Sequence, residues 1–282
     1  MQIFLNGQII KEEDAKISIS DFSYQFGFGL FETIKCEQGI PLFLEAHYKR
    51  LTHSARELGM AFPVDLDGIK KWIKDLLDAN KLKNARLKII VSKRAEDKFN
   101  VLILAGELEK PPQSFLLLGR KLLRDPNSVS FKHKTTSRAD SHLLYKEALE
   151  KGFSDVLFFN EKNELLECSR ANVFLVMENK IVTPLLESGI LSGVTREKII
   201  EIAKKENIAV EEKNVHILYL NKTKDVFITN AIIGIMPVSK VVLEDKEHIF
   251  SPSSLTIRLK NAYDAQLSEY LRKSSTLAVL AT

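Results

Sequence analysis

The tandem Pro111-Pro112, with a third proline at 126, interrupts the chain between Glu107 and Asn127. Proline fixes φ and offers no backbone N–H, so regular structure entering this stretch is broken there. The stretch reads as a connection between two domains, each with its own core to bury, although SFLLLGR inside it has strand composition. The boundary is placed near residue 120, giving a smaller α+β domain over 1–119 and a larger α/β domain over 120–282. At 45% hydrophobic residues, the 282-residue chain has apolar side chains enough for ordinary cores.

Periodicity fills in the two halves. QIFLNGQII places two short apolar stretches about Asn-Gly, a hairpin signal because both turn residues accept positive φ. Leu44, Leu51, Ala55 and Leu58, then Ile69, Trp72, Ile73, Leu76 and Leu77, fall at helical spacing, whereas ARLKIIVSK and NVLILAGE are strand-like. Beyond the prolines, LLYKEALEKG reads as a helix closed by Gly152. SDVLFFN, NELLEC, ANVFLV and KIVTPL read as a strand meander, and GVTREKIIEIAKKENI as an amphipathic helix. DVFIT and MPVSKVVL are strand-like, and Pro252 opens a last helix through NAYDAQLSEYLRK.

Charge and cysteine content narrow the function. A net charge of +4 is spread along the chain, with no basic patch of the kind nucleic acid requires. Two cysteines make neither a disulfide framework nor a zinc spacing, which suits a reducing compartment. The first residues lack a signal-peptide pattern and no apolar run is long enough for a membrane span, so the expectation is a cytoplasmic protein.

Among short motifs, GFGLFET (27–33) lacks the third glycine of a dinucleotide-binding fingerprint, and reads as glycines that let backbone approach closely in a turn before a strand. GVTR (193–196) opens a helix, where unpaired amides and the helix dipole suit a phosphate; alternatively Thr195 is an N-cap and Arg196 a surface charge. Arg50 is a helical arginine able to clamp an anion through two donors or simply to be solvated. In SVSFKHKTTSR (128–138), strand alternation would put Ser130, Lys132 and Lys134 on one face, so periodicity does not choose between the lysines.

In order along the chain stand SDFSYQFGFGLFET, LEAHYKRL, FKHKTTSR, NELLECSRANVFLV, ILSGVTR and FITNAIIGIMPV. This series resembles the class IV, fold-type IV, family of pyridoxal-phosphate enzymes, which holds branched-chain and D-amino acid aminotransferases and aminodeoxychorismate lyase. The resemblance runs from Asn6 to about Val238. It implies a two-domain α/β (α+β) fold like D-amino acid aminotransferase, pyridoxal 5'-phosphate in the cleft between the domains, a small amino substrate, and a homodimer.

Residue roles follow from the same resemblance. The family's cofactor-bearing lysine directly precedes a short polar run and lies ahead of a glutamate in E-x-x-x-x-N-[VLI]-F. Here that glutamate is Glu167, with Asn172 and Phe174 behind it, 33 residues after Lys134 (167 − 134); Lys132 is two positions too early. Lys134 is then the proton-transferring residue and Glu167 the partner that keeps the pyridine nitrogen protonated. Arg50, the amides of Val194 and Thr195, and Asn230 match the family's phosphate contacts.

Gln25-Phe26-Gly27, ECSRANVF and Asn230-Ala231 resemble the lyase form, and no Ser-Gly-Asn-Tyr run of the branched-chain enzymes follows Lys134. Against it, Phe28 stands where the family often has aspartate, KRAEDKFN lacks an Arg-Gly loop, and Thr135-Thr136-Ser137 is not the His-Leu-Asn of many lyases. The expected activity is 4-amino-4-deoxychorismate lyase of folate biosynthesis. The alternatives are an aminotransferase for branched-chain or D-amino acids with 2-oxoglutarate, and a non-catalytic paralogue.

Overall fold

The Asn-Gly pair turns the chain as its sequence requires: β1 (Gln2–Leu5) pairs antiparallel with β2 (Gln8–Lys11), and Asn6 and Gly7 take φ of 50° and 94°. The computed structural model describes residues 1–60, 62, 64–94 and 98–280, with no account of the side chains of 277–280. Three residues of KRAEDKFN, 95–97, therefore lie outside the described residues.

After the hairpin come α1 (Phe22–Phe26), β3 (Gly29–Glu37), β4 (Ile40–Pro41), α2 (Leu44–Glu57), α3 (Leu66–Asn80), β5 (Ala85–Lys93) and β6 (Phe99–Gly106). The six strands form one sheet in the order β2-β1-β6-β5-β3-β4. Alternation decides which face is covered. Leu30, Ile34 and Cys36 of β3, Leu87, Ile89 and Val91 of β5, and Val101, Ile103 and Ala105 of β6 share a core with Leu51 and Ala55 of α2 and Ile69, Ile73 and Leu76 of α3. One inward position breaks the apolar pattern: Glu32, between Leu30 and Ile34 in register, is 1% exposed.

The later elements are β7 (Phe115–Lys121), α4 (Val129–Lys132), α5 (Ala139–Glu150), β8 (Asp155–Phe159), β9 (Glu164–Cys168), β10 (Asn172–Met177), β11 (Lys180–Thr183) and α6 (Val194–Lys205). They are followed by β12 (Ala209–Glu212), β13 (Val215–His216), β14 (Asp225–Asn230), β15 (Gly234–Leu243), β16 (Lys246–Ile249) and α7 (Ser254–Leu280). Here the sheet runs β12-β11-β10-β14-β15-β7-β8-β9-β13, with β16 beside β15. β7 lies parallel to both β15 and β8, and every residue of β8 is buried, as a strand covered on both faces requires.

Two compact units result. One comprises Met1–Lys110, His133–Ser137 and the chain from Leu267; the other comprises Pro111–Lys132 and Arg138–Gln266. The chain changes unit at the tandem prolines, and the boundary expected near residue 120 lies inside β7. The end of α7 belongs with the first unit because Tyr270 packs its ring 5.1 Å from Phe43 and donates its hydroxyl to Glu45 at 3.0 Å. The strand expected over SVSFKHK is corrected: residues 129–132 are the short α4, and extended backbone begins only after it.

Candidate active site

In the first unit, the stretch carrying Lys134 is held by the edge of β3. The amide of Phe31 donates to the Lys134 carbonyl at 2.9 Å, the Thr136 amide donates to the Gly29 carbonyl at 2.8 Å, and Leu30 faces Thr135 as an antiparallel bridge. Thr136 adds a side-chain tie, donating its hydroxyl to the Gly27 carbonyl at 2.7 Å beside Ser23 Oγ at 3.0 Å. GFGLFET is thus the cradle of the lysine strand. Gly27 closes α1 with φ 65°, and a Cβ on it would stand 3.2 Å from Ser137. Lys134 Nζ lies 4.5 Å from the centroid of the Phe31 ring.

Asp21 supports this cradle from below. One carboxylate oxygen caps α1 through the Ser23 and Tyr24 amides; the other accepts from Ser92 on β5 at 2.5 Å and Asn100 on β6 at 2.6 Å. A buried carboxylate with four donors ties the turn to the sheet.

Arg50 lies on α2 and does not simply face water. Its Nε donates to Glu32 Oε1 at 2.8 Å and its Nη2 to Glu32 Oε2 at 2.6 Å, a two-pronged ion pair. His47, also on α2, meets Oε2 from Nδ1 at 2.8 Å. Burial by itself would raise the Glu32 carboxyl, but the Arg50 charge and the hydrogen bonds from His47 and Arg50 hold it down at about 2. The ionised carboxylate only accepts, so Nδ1 of His47 is the protonated nitrogen. Burial lowers the pKa of His47, against the pull of Glu32, and the nearby charges of Arg50 and Lys134 add to the lowering.

In the second unit, Glu167 sits on β9. Arg124, 2% exposed, donates Nη1 to Glu167 Oε1 at 2.7 Å, and the Leu191 amide donates to Oε2 at 3.0 Å. Asn172, at the start of β10, donates Nδ2 to the carbonyl of the same Leu191 at 3.0 Å. The E-x-x-x-x-N spacing therefore has a physical meaning: the two side chains, on adjoining strands, grip one residue of the loop leading into α6.

That loop ends at Gly193, the N-cap of α6, which supplies no side chain to the first helical amides. A Cβ there would come within 2.0 Å of Asn172 Oδ1, so glycine is required by the neighbour. Thr195 is not the N-cap but a buried residue of the first turn, and Arg196 is no surface charge: it is 4% exposed and donates to the Pro184 carbonyl and to Glu212. Asn230 ends β14. Its Oδ1 accepts the Ile232 and Ile233 amides and its Nδ2 donates to the Arg170 carbonyl at 3.1 Å, so it shapes its own turn and ties down the loop after Glu167.

Each unit so offers part of what pyridoxal phosphate needs. The uncapped amides at Val194 and Thr195 and the guanidinium of Arg50 suit a phosphate, and each oxygen of Glu167 keeps acceptor capacity beyond its single donor, as a protonated ring nitrogen requires. Sequence reasoning missed Asp21, Glu32, His47 and Arg124. For Glu32 a signal existed, a charge at an inward position of an alternating strand.

The model of the amino-transferase class IV family matches residues 29–241, 213 of 282 positions (241 − 29 + 1). The chain belongs to this family. Its members use pyridoxal 5'-phosphate, so the fold and enzyme class implied by the motif series are those of the protein. A probable branched-chain-amino-acid aminotransferase of Rickettsia bellii (strain RML369-C) is 26% identical over 273 residues, 93% of this chain and 94% of that one. An aminodeoxychorismate lyase of Bacillus subtilis (strain 168) is 27% identical over 294 residues and covers 99% of both chains. Among solved structures, a putative 4-amino-4-deoxychorismate lyase of Legionella pneumophila subsp. pneumophila str. Philadelphia 1 superposes with a TM-score of 0.85 at 25% identity, over 90% of this chain and 96% of that one. No described helix is long and apolar enough to cross a membrane.

Proposed function

We propose that the protein is a 4-amino-4-deoxychorismate lyase that releases pyruvate and 4-aminobenzoate, with pyridoxal phosphate held by Lys134, Glu167, Arg50, the amides of Val194 and Thr195, and Asn230. The observation that carries the choice over an aminotransferase is the loop directly after Glu167. There Arg170 presents a guanidinium, 53% exposed, 3.9 Å from the Tyr145 ring, and Asn230 fixes its backbone. A substrate bearing two carboxylates finds a cationic partner in that loop, whereas a branched aliphatic side chain finds none of its kind. Full-length similarity to the Bacillus subtilis lyase supports the same reading.

When bound, the cofactor supplies an electron sink for the carbon that carries the substrate nitrogen. Lys134 takes the proton from that carbon and returns it as the products form. Glu167, fixed by Arg124 and Leu191, keeps a full negative charge opposite the ring nitrogen. The bond that breaks joins the ring carbon to the enolpyruvyl oxygen; its electron pair leaves with that oxygen, pyruvate forms after protonation, and aromatisation of the ring drives the step.

The test is one assay of purified protein with enzymatically generated aminodeoxychorismate, following 4-aminobenzoate, beside 2-oxoglutarate paired with branched-chain and D-amino acids. Rapid 4-aminobenzoate formation is expected. Turnover confined to the paired reactions would replace the lyase with an aminotransferase, the reading favoured by the Rickettsia relative.

A further inference from the structure

We propose that Glu32 is the positioning residue of Arg50: its buried carboxylate sets the direction of the guanidinium and so makes recognition of the cofactor's phosphate, but not of its ring, depend on this side chain. The inference rests on the reading of Arg50 as a phosphate contact.

Glu32 occupies a place where strand alternation calls for an apolar residue, between Leu30 and Ile34 on the covered face of β3. An ionised carboxylate there costs several kcal/mol unless it is fully partnered. Three donors partner it: Arg50 Nε, Arg50 Nη2 and His47 Nδ1. His47 and Arg50 stand three residues apart on α2, hence on one face of the helix, and both turn to the same carboxylate.

The direction of the guanidinium is what this arrangement controls. Bonds from Nε and Nη2 to the two oxygens of one carboxylate fix the guanidinium plane, which a single ion pair would leave free to rotate. The His47 bond to Oε2 in turn stops the carboxylate from turning about its own axis. Only two of the five N–H donors of Arg50 are used in the fork.

Glu32 also sets Arg50 relative to Lys134. Phe31, its neighbour on β3, donates its amide to the Lys134 carbonyl at the strand edge, while Glu32 projects to the covered face and holds Arg50. Two consecutive residues of one strand thereby register the group that carries the cofactor's aldehyde carbon and the group assigned to its phosphate. Without the carboxylate, Arg50 would keep its charge and its place on α2 but lose this register.

The experiment compares pyridoxal 5'-phosphate with pyridoxal, which lacks the phosphate, by equilibrium titration of cofactor-stripped wild-type, Glu32→Gln and Arg50→Lys proteins. The wild type is expected to prefer the phosphorylated form strongly. Glu32→Gln should lose about tenfold or more of its affinity for pyridoxal phosphate, the size of one lost charge-assisted hydrogen bond, and hold pyridoxal as the wild type does. Arg50→Lys, which keeps the charge but not the fork, should match it; this second variant keeps the test valid if Glu32→Gln does not fold. Equal losses for both ligands, or an undiminished preference in both variants, would overturn the positioning role. A wild type that bound the two ligands equally would overturn the assignment of Arg50 itself, and a wild type that bound neither would sink the cofactor reading.

Discussion

Lys134 and Lys132 lie two positions apart, yet only Lys134 has its backbone in the β3 edge, with its carbonyl fixed by Phe31. Lys134→Ala should abolish both the yellow colour of the cofactor-loaded protein and its turnover, while Lys132→Ala, altered at the end of the short α4, should keep both. The reverse pattern, read by absorbance spectroscopy, would show that the wrong lysine was chosen. Glu32 offers a test by acid. Its pKa, depressed from an ordinary 4.5 to about 2, means that its ion pair stabilises fully above pH 4.5 and that this contribution is lost as pH falls through about 2. The span of 2.5 units corresponds to on the order of 3 kcal/mol. Glu32→Gln should be less stable than the wild type at neutral pH, with the gap narrowing between pH 4.5 and 2 in denaturant titrations. A gap independent of pH would mean that the charge contributes nothing. His47 acts in the same direction at higher pH: its lowered pKa makes the buried ring resist the proton that the unfolded chain takes up below about 6.5, so stability from this group also falls on acidification.

At the scale of elements, the loop between β11 and α6 is shaped by its two ends. Leu191 is gripped through its amide by Glu167 and through its carbonyl by Asn172, and Gly193 leaves no space between the loop and Asn172. Gly193→Ala should displace Asn172 and break its bond to Leu191, at a cost of about 1–3 kcal/mol by chemical unfolding. Adding Asn172→Ala should recover part of that loss, because the clash disappears; strictly additive losses in the double-mutant cycle would show that the two sites do not meet. The elements that periodicity located, the hairpin, α2, α3, β5 and β6, and the helix after Gly193, are those whose signal is local: a turn dipeptide, a 3.6-residue stripe or a strict alternation. SVSFKHK misled for the opposite reason. Its alternation is real in the sequence, but Phe131 and Lys132 turn back to the Ser128 carbonyl, and the strand that follows exists only because β3, about a hundred positions earlier in the chain, lends it an edge. Similarly, prolines marked the junction between units, but the strand that SFLLLGR forms beside β15 and β8 is fixed by partners that no local pattern announces.

For the whole molecule, the motif series made the family legible, because each motif holds one part of a distributed constellation, but it left the supporting groups unseen: Asp21, Glu32 and Arg124 act through partners far away in sequence. One surface feature bears on assembly. Ile19, Tyr24 and Phe26 are 80%, 75% and 71% exposed, and they stand on a segment that is firmly built: Asp21 caps α1, Gln25 donates to the Ile19 carbonyl at 2.8 Å, and Gly27 closes the helix. Apolar side chains held out by a rigid turn favour burial against another surface, since no ordering entropy remains to oppose it. We propose that a second copy of the chain covers them, forming the homodimer that the family resemblance implies. Light scattering after size exclusion should then give twice the 32.0 kDa chain mass for the wild type. Tyr24→Asp with Phe26→Asp should shift the mass toward a single chain, because a carboxylate buried without a partner costs more than the apolar contact it replaces. The same segment bonds to Thr136 through Ser23 and Gly27, two residues from Lys134, so separation of the copies is expected to lower turnover as well as mass. A wild type that runs as a single chain at full activity would remove the dimer; a double variant that stays at twice the chain mass would place the interface elsewhere.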